Sequence, residues 1–376
     1  MSAAETRRGP LADLKVIDCA TVLAGPGCAR HLADFGAEVI KVERPDGGDS
    51  LRRLGFEAPD GDSLWWKITA RNKQTVALDF KDPDDLDVMR RLVASADVLV
   101  ENFRPGTLER LGLDPVDLIA RNPRLVVTRV TGYGQTGPYR DRPGFATQAE
   151  AMSGFAAING AADGPPLLPP IALTDEVTAV VAAFATMVAV HSGVGQVVDV
   201  SLIESMLQLM GPLVPHFGLS GQVVERLGGG IFSTVPRNTY RTADGEWVAV
   251  SSSSESVAAR VLGLIGLGDD ERLGSFAGRT EHRAEIDRRM AEWMAARTRD
   301  EALAAFESVD AAAAPVYDMA AIFEDLHYRE RDAVITVDGI PMPNVVAKLS
   351  ETPGQVRWAG RSPNADGGEV RRTEPS

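Results

Sequence analysis

The chain has 376 residues, long for a single core and enough for two or three lobes. Hydrophobic residues make up 44% and charged residues 24%, the balance of a globular protein with a sizeable interior. A net charge of −14 argues against nucleic acid or an anionic membrane as the main partner, although a pocket's local field can still attract a small anion.

The start, MSAAETRRGPLADLKVID, carries basic residues with no apolar stretch behind them, so no secretory leader is expected. Leu14–Cys19 reads as a strand, Gly25-Pro26 as a turn, and Gly27–Phe35 as a helix with proline at its first position. Glu38–Glu43 and Thr75–Phe80 read as strands, Asp84–Ala96 as an amphipathic helix, and Asp97–Phe103 and Leu125–Thr131 as further strands. Alternation of this kind implies a mostly parallel sheet covered by helices, with ligands beyond the carboxyl ends of its strands. Cys19 and Cys28 read as reduced thiols in a cytoplasmic core. The apolar run Val177–Val190 is too short to span a bilayer and reads as a buried helix. After about residue 210 the character changes. Asn238–Ser251 reads as strand, turn and strand, Ser254–Asp325 as mostly helical, Ala333–Val337 as a last strand, and the stretch from Arg361 as a frayed tail.

Several motifs point nowhere useful. Gly132-Tyr133-Gly134-Gln135-Thr136-Gly137 fits the dinucleotide glycine pattern, but Pro138, Arg140 and Pro143 follow where a helix is required, so the stretch reads as a tight loop above the sheet. The histidines are scattered without metal-ligand spacing, no metal is expected, and no serine or cysteine nucleophile motif is present.

Asp175, in Leu173-Thr174-Asp175-Glu176 ahead of the apolar helix, admits two readings. It is a helix cap or first-turn dipole partner, or a nucleophile kept ionised by the helix N-terminus with backbone N–H groups near for an oxyanion. Asp199 and Glu204 are comparable, but one looks mid-strand and the other mid-helix.

The stretches VLAGPGCARHLADFGAEVIKVERPDGGD (22–49), RNKQTVALDFKDP (71–83), ADVLVENFRPGTLERLGL (96–113), NPRLVVTRVTGYGQTGPYRDRPGF (122–145), SGFAAINGAADGPPLLPPIALTDEVTA (153–179) and GVGQVVDVSLIESML (193–207) together resemble the family III CoA-transferases, which include α-methylacyl-CoA racemase. The resemblance implies an α/β fold with a Rossmann-like large domain built from both chain ends, a smaller α+β domain between, and two chains interlocked as a homodimer. On that pattern 1–215 is the first part of the large domain, 216–332 the smaller domain with linkers, and 333–376 the return. It implies an enzyme that takes acyl-CoA and a carboxylic acid as substrates, needs no tightly bound cofactor, and engages neither nucleic acid nor membrane. Asp175 falls at the family's catalytic aspartate. Leu23, Ala24, Arg44, Leu78, Lys81, Asn102, Phe103, Arg104 and Arg110 fall on its CoA-binding segments, while Arg71 and Lys73 are weaker matches. Gly228–Gly230 matches a flexible glycine loop equally well as a plain linker.

Two departures matter. Phe145 stands where racemases carry a histidine, and a phenyl ring carries no proton, so racemisation loses one of its two hands. Ala146 replaces an acidic residue, and Glu150 a glutamine, at positions expected to face the site. Hydrolysis or isomerisation of acyl-CoA, and non-catalytic acyl-CoA binding, are the competing readings.

Overall fold

The computed structural model describes residues 9–372, so the first eight residues, on which the expectation about a leader falls, lie outside the described residues. The chain divides into two compact units. One comprises Met1–Phe155, Pro169–Gly211 and Leu326–Ser376; the other comprises Ala156–Leu168 and Pro212–Asp325.

The first unit is built on a parallel sheet of β1 (Lys15–Asp18), β2 (Glu38–Glu43), β3 (Lys73–Ala77), β4 (Val98–Glu101), β5 (Val126–Thr131) and β6 (Gln196–Ser201). Its order is β3-β2-β1-β4-β5-β6, which reverses direction between β1 and β4. Side chains alternate across the pleat. Val16, Val39, Val98 and Val126 face one hydrophobic core, and their neighbours Ile17, Ile40, Leu99 and Val127 face the other. The first core is closed by α1 (Ala24–Asp34), the second by α2 (Pro83–Ala94). α1 therefore begins three residues earlier than the sequence suggests, with Pro26 inside its first turn.

Beyond β5 come α3 (Ala146–Met152), the long α4 (Leu173–Ser192) and α5 (Leu202–Leu209). The alanines and threonines of α4 (Thr178, Ala179, Ala182, Thr186) form its buried face. A Cβ added to Gly27 of α1 would sit 2.7 Å from the Ala179 methyl, so glycine is what allows the two helices to approach this closely. The α4 helix exceeds the run expected from sequence. Its 20 residues are long and apolar enough to cross a membrane by length and composition, with 39% of the most apolar window buried. Its outward face carries the exposed Val180, Phe184 and Val188.

The tail expected to fray is instead packed on the edge of the sheet, as far as residue 372. Asp366 and Asn364 accept hydrogen bonds from the backbone N–H groups of Thr75 (2.9 Å) and Ala77 (2.9 Å), which edge strand β3 would otherwise leave open. A hairpin of Val334–Val337 and Ile340–Pro343 also belongs to this unit.

The second unit has an antiparallel sheet of β7 (Arg237–Arg241), β8 (Trp247–Ser251) and β9 (Ala313–Pro315). It packs on α6 (Glu255–Leu264), α7 (Arg283–Ala295) and α8 (Arg299–Ser308) around Val248, Ile286, Met290 and Phe306. The glycine run lies here, where the Gly228 N–H donates to the Gly160 carbonyl at 3.0 Å.

Candidate active site

Asp175 occupies the first turn of α4, behind Ala172, whose side chain gives the helix no cap. The first-turn N–H groups are thus left without a side-chain acceptor. The Asp175 side chain is half-buried and has no hydrogen-bond or ion-pair partner among the described residues. Burial pushes its carboxyl up to about 6, helped by the negative charges of Glu176 and Glu150. The sequence suggests that the helix end holds this group in its charged form; here dehydration and acidic neighbours outweigh that. At neutral pH it is still about nine-tenths ionised. A carboxylate that is charged, poorly solvated and unpartnered is a good nucleophile.

Its neighbours are fully engaged. Glu176 is paired with Arg30 at 2.8 Å. Glu150 is buried (4% exposed) and accepts a hydrogen bond from the Thr174 hydroxyl at 2.9 Å. It braces the start of α4 from α3 and does not line the cavity described next, whereas Ala146 does.

Asp175 opens into a cavity of about 290 Å³ at the carboxyl ends of the strands. It is lined by the turn after β1, Thr21–Ala24, and by the adjoining turn after β4, Asn102–Pro105. This is the point where the strand order reverses, which is where doubly wound sheets leave a crevice. The loop Arg140–Thr147, after β5, completes the enclosure, with Phe145 at 68% exposure on its rim.

The β1 turn is held under strain. Val22, a β-branched residue, has φ of +66°. Its N–H donates to Asp49 at 3.1 Å, while the preceding Thr21 is clamped on both sides by Asn102, which accepts from its N–H at 2.8 Å and donates to its carbonyl at 2.7 Å. The Asn102 amide is therefore spent on fixing the turn.

The residues nominated from sequence separate into two groups. Leu23, Ala24, Asn102, Phe103 and Arg104 line the same cavity as Asp175. Arg44, Leu78, Lys81 and Arg110 do not. Leu78 is 2% exposed and packs in the core beneath the sheet, so its side chain has no surface to offer a ligand. Arg110 turns back to the Thr107 hydroxyl at 2.8 Å. Arg44 and Lys81 are exposed beyond β2 and β3. Arg71 and Lys73 are buried structural cations, bonded to Asp34 (2.6 Å) and Asp18 (2.8 Å). Asp199 accepts from the Gln135 N–H at 3.0 Å and Glu204 from the Ser201 hydroxyl, so both have local structural duties. Arg140 and Arg142 also line the cavity, although sequence suggests for them nothing beyond a loop. Among the described residues no cluster of His, Cys, Asp and Glu is arranged to hold a metal. Burial pushes the Cys28 thiol up to about 12 and raises Cys19 as well, so neither is an accessible thiolate.

Residues 11–367 match the model of CoA-transferase family III. This chain belongs to that family. It is a CoA-transferase, moving coenzyme A from an acyl thioester to a carboxylic acid. It is 40% identical to a succinyl-CoA–D-citramalate CoA-transferase of Chloroflexus aurantiacus over 93% of this chain and 90% of the relative. The identity is 41%, with the same shares covered, to the beta subunit of that organism's succinyl-CoA–L-malate CoA-transferase. A succinate–glutarate CoA-transferase of Agrobacterium fabrum is 32% identical over 96% and 94% of the two chains. Among solved structures, a CAIB/BAIF family protein from Brucella suis superposes with a TM-score of 0.85 at 29% identity, covering 97% of this chain and 99% of its own.

Proposed function

We propose that this CoA-transferase works through a covalent intermediate on Asp175, and that succinyl-CoA is its donor. The observation that carries the mechanism is the position of Asp175: ionised at neutral pH, without a partner, and facing a cavity at the ligand-binding edge of the sheet.

A carboxylate oxygen of Asp175 attacks the thioester carbonyl, the C–S bond breaks, and CoA thiolate leaves a mixed anhydride. The thiolate then attacks the aspartyl carbonyl, releasing the donor acid and leaving an aspartyl-CoA thioester. The acceptor carboxylate attacks that thioester, forming a second anhydride, and CoA thiolate collects the acceptor acyl group and frees Asp175. Every intermediate keeps the activation energy of the original thioester, provided water is excluded. N–H groups of the first turn, which no side chain caps, serve as donors for the developing oxyanions.

Leu23, Ala24 and Phe103 supply apolar contact along the CoA arm, and Arg104 meets a phosphate at the mouth. Arg44, Lys81 and Arg110 are exposed cations for the outer nucleotide, and the backbone near Leu78 belongs to the same outer strip. The donor assignment rests on the relatives, whose names specify succinyl-CoA or succinate. We infer also an interlocked homodimer in the cytoplasm. The stripe Val180, Phe184 and Val188 along α4 is an apolar face suited to a second chain, and both cysteines are free.

The test is a transfer assay from succinyl-CoA to a panel of carboxylic acids, with release of succinate followed in the first turnover. A stoichiometric burst followed by acceptor-dependent turnover is expected. Slow thiol release indifferent to the acceptor would mark a hydrolase instead.

A further inference from the structure

We propose that Arg142 forms a carboxylate subsite that reads the far end of a dicarboxylic acyl group, an inference that rests on the CoA-transfer reading of the same cavity. Two arginines on this cavity have no carboxylate partner among the described residues: Arg104, on the turn after β4, and Arg142, on the loop after β5. The third, Arg140, lies 3.4 Å from its neighbour Asp141, both exposed. A cation left unpaired beside a buried-carboxylate nucleophile is open to an anionic group of the substrate.

The loop holding Arg142 is built to keep it in place. A Cβ added to Gly132 would lie 2.8 Å from the Gly144 Cα, and one added to Gly144 would lie 2.8 Å from the Tyr133 ring. The glycines thus let the far end of the loop close directly onto the end of β5. Above that contact Tyr139 packs edge-on against Tyr133, with ring centroids 5.8 Å apart. The Arg142 guanidinium lies over the Tyr139 ring, 3.8 Å from its centre. Stacking fixes the plane of the guanidinium and leaves its edge N–H groups free, which is the geometry a carboxylate needs for two parallel hydrogen bonds. Arg104 stands with Phe103 on the turn after β4, assigned above to CoA; Arg142 stands on the loop that leads into α3, and both line the cavity that Asp175 lines. A succinyl group with its thioester at Asp175 has a second carboxylate to place, and Arg142 is the cavity cation without another assignment.

The test compares succinyl-CoA with butyryl-CoA, which has the same chain length and a methyl group in place of the carboxylate. Exchange of labelled succinate into succinyl-CoA, and of labelled butyrate into butyryl-CoA, is followed with no other acid present, in the parent enzyme and in Arg142→Gln. The parent is expected to prefer succinyl-CoA, and the variant to lose on the order of 10- to 100-fold in kcat/KM for succinyl-CoA with butyryl-CoA changed less than about twofold. Arg142→Lys should recover part of the preference. Equal losses on both thioesters would assign Arg142 to CoA itself and overturn the subsite, as would a parent enzyme that exchanges both equally well. Exchange with neither thioester would bring down the transfer reading together with the subsite.

Discussion

Asp18 and Asp175 are both withdrawn from water in the same α/β unit, and they are treated in opposite ways. Asp18, at the end of β1, is fully buried and fully satisfied: it bonds to Lys73 at 2.8 Å, accepts from the Ala20 N–H at 3.1 Å, and lies 3.8 Å from Lys41. Lys41 reaches on to Asp49 at 3.1 Å, and Lys73 to the Pro26 carbonyl at 2.6 Å. The network ties β1, β2 and β3 to the start of α1 and so holds up the floor of the β1 turn. Asp175 has none of this. Half-buried, it has its desolvation left uncompensated, and that is the condition behind the role proposed for it.

Substitutions at the two sites should therefore separate activity from stability. The largest effect is expected from Asp175→Ala, which removes the proposed nucleophile: transfer should fall on the order of ten-thousandfold while the variant still binds CoA, as measured by steady-state kinetics and calorimetry. Next comes Asp18→Asn, which leaves Lys41 and Lys73 short of countercharge. Denaturant unfolding should show a loss of about 3–5 kcal/mol.

The comparison sharpens with pH. A carboxyl whose pKa is raised by folding makes the ionised protein less stable, a penalty present above the folded value and relieved as pH falls through it. Asp175→Asn should therefore be more stable than the parent at pH 8, by about 1–2 kcal/mol after allowance for partial exposure. The gain should close as pH is lowered through about 6 toward 4. The smallest effect is expected for Glu150→Gln, which keeps an acceptor for Thr174 but removes one of the charges raising Asp175. The acid limb of the activity profile, expected near pH 6 in the parent, should move down by about half a pH unit. An unmoved limb would show that the titrating group is not Asp175.

The βαβ succession was legible because buried parallel strands are short apolar runs, and Val98–Glu101 and Val126–Thr131 stand out as such. The strand order was not, since nothing local says that β4 returns to the side of β1. Asp175 could be nominated from its place before the apolar helix, but its raised pKa comes first from burial, which no local pattern reveals, and in smaller part from Glu176 and from Glu150, 25 positions away in sequence. Arg142 was hidden for a related reason. Tyr139, Arg142 and the prolines around them read as helix-breaking loop, and only the Gly132–Gly144 contact turns that loop toward the cavity. The tail was misjudged because composition cannot reveal that Asn364 and Asp366 complete the edge of β3.

The most direct measurement is mass spectrometry of the peptide containing Asp175 after brief incubation with succinyl-CoA and an acid quench. A CoA-sized adduct on Asp175, absent from Asp175→Ala and consumed when an acceptor acid is added, is the result expected. An active enzyme that forms its adduct on another residue, or carries none at all while turning over, would contradict the role given to Asp175.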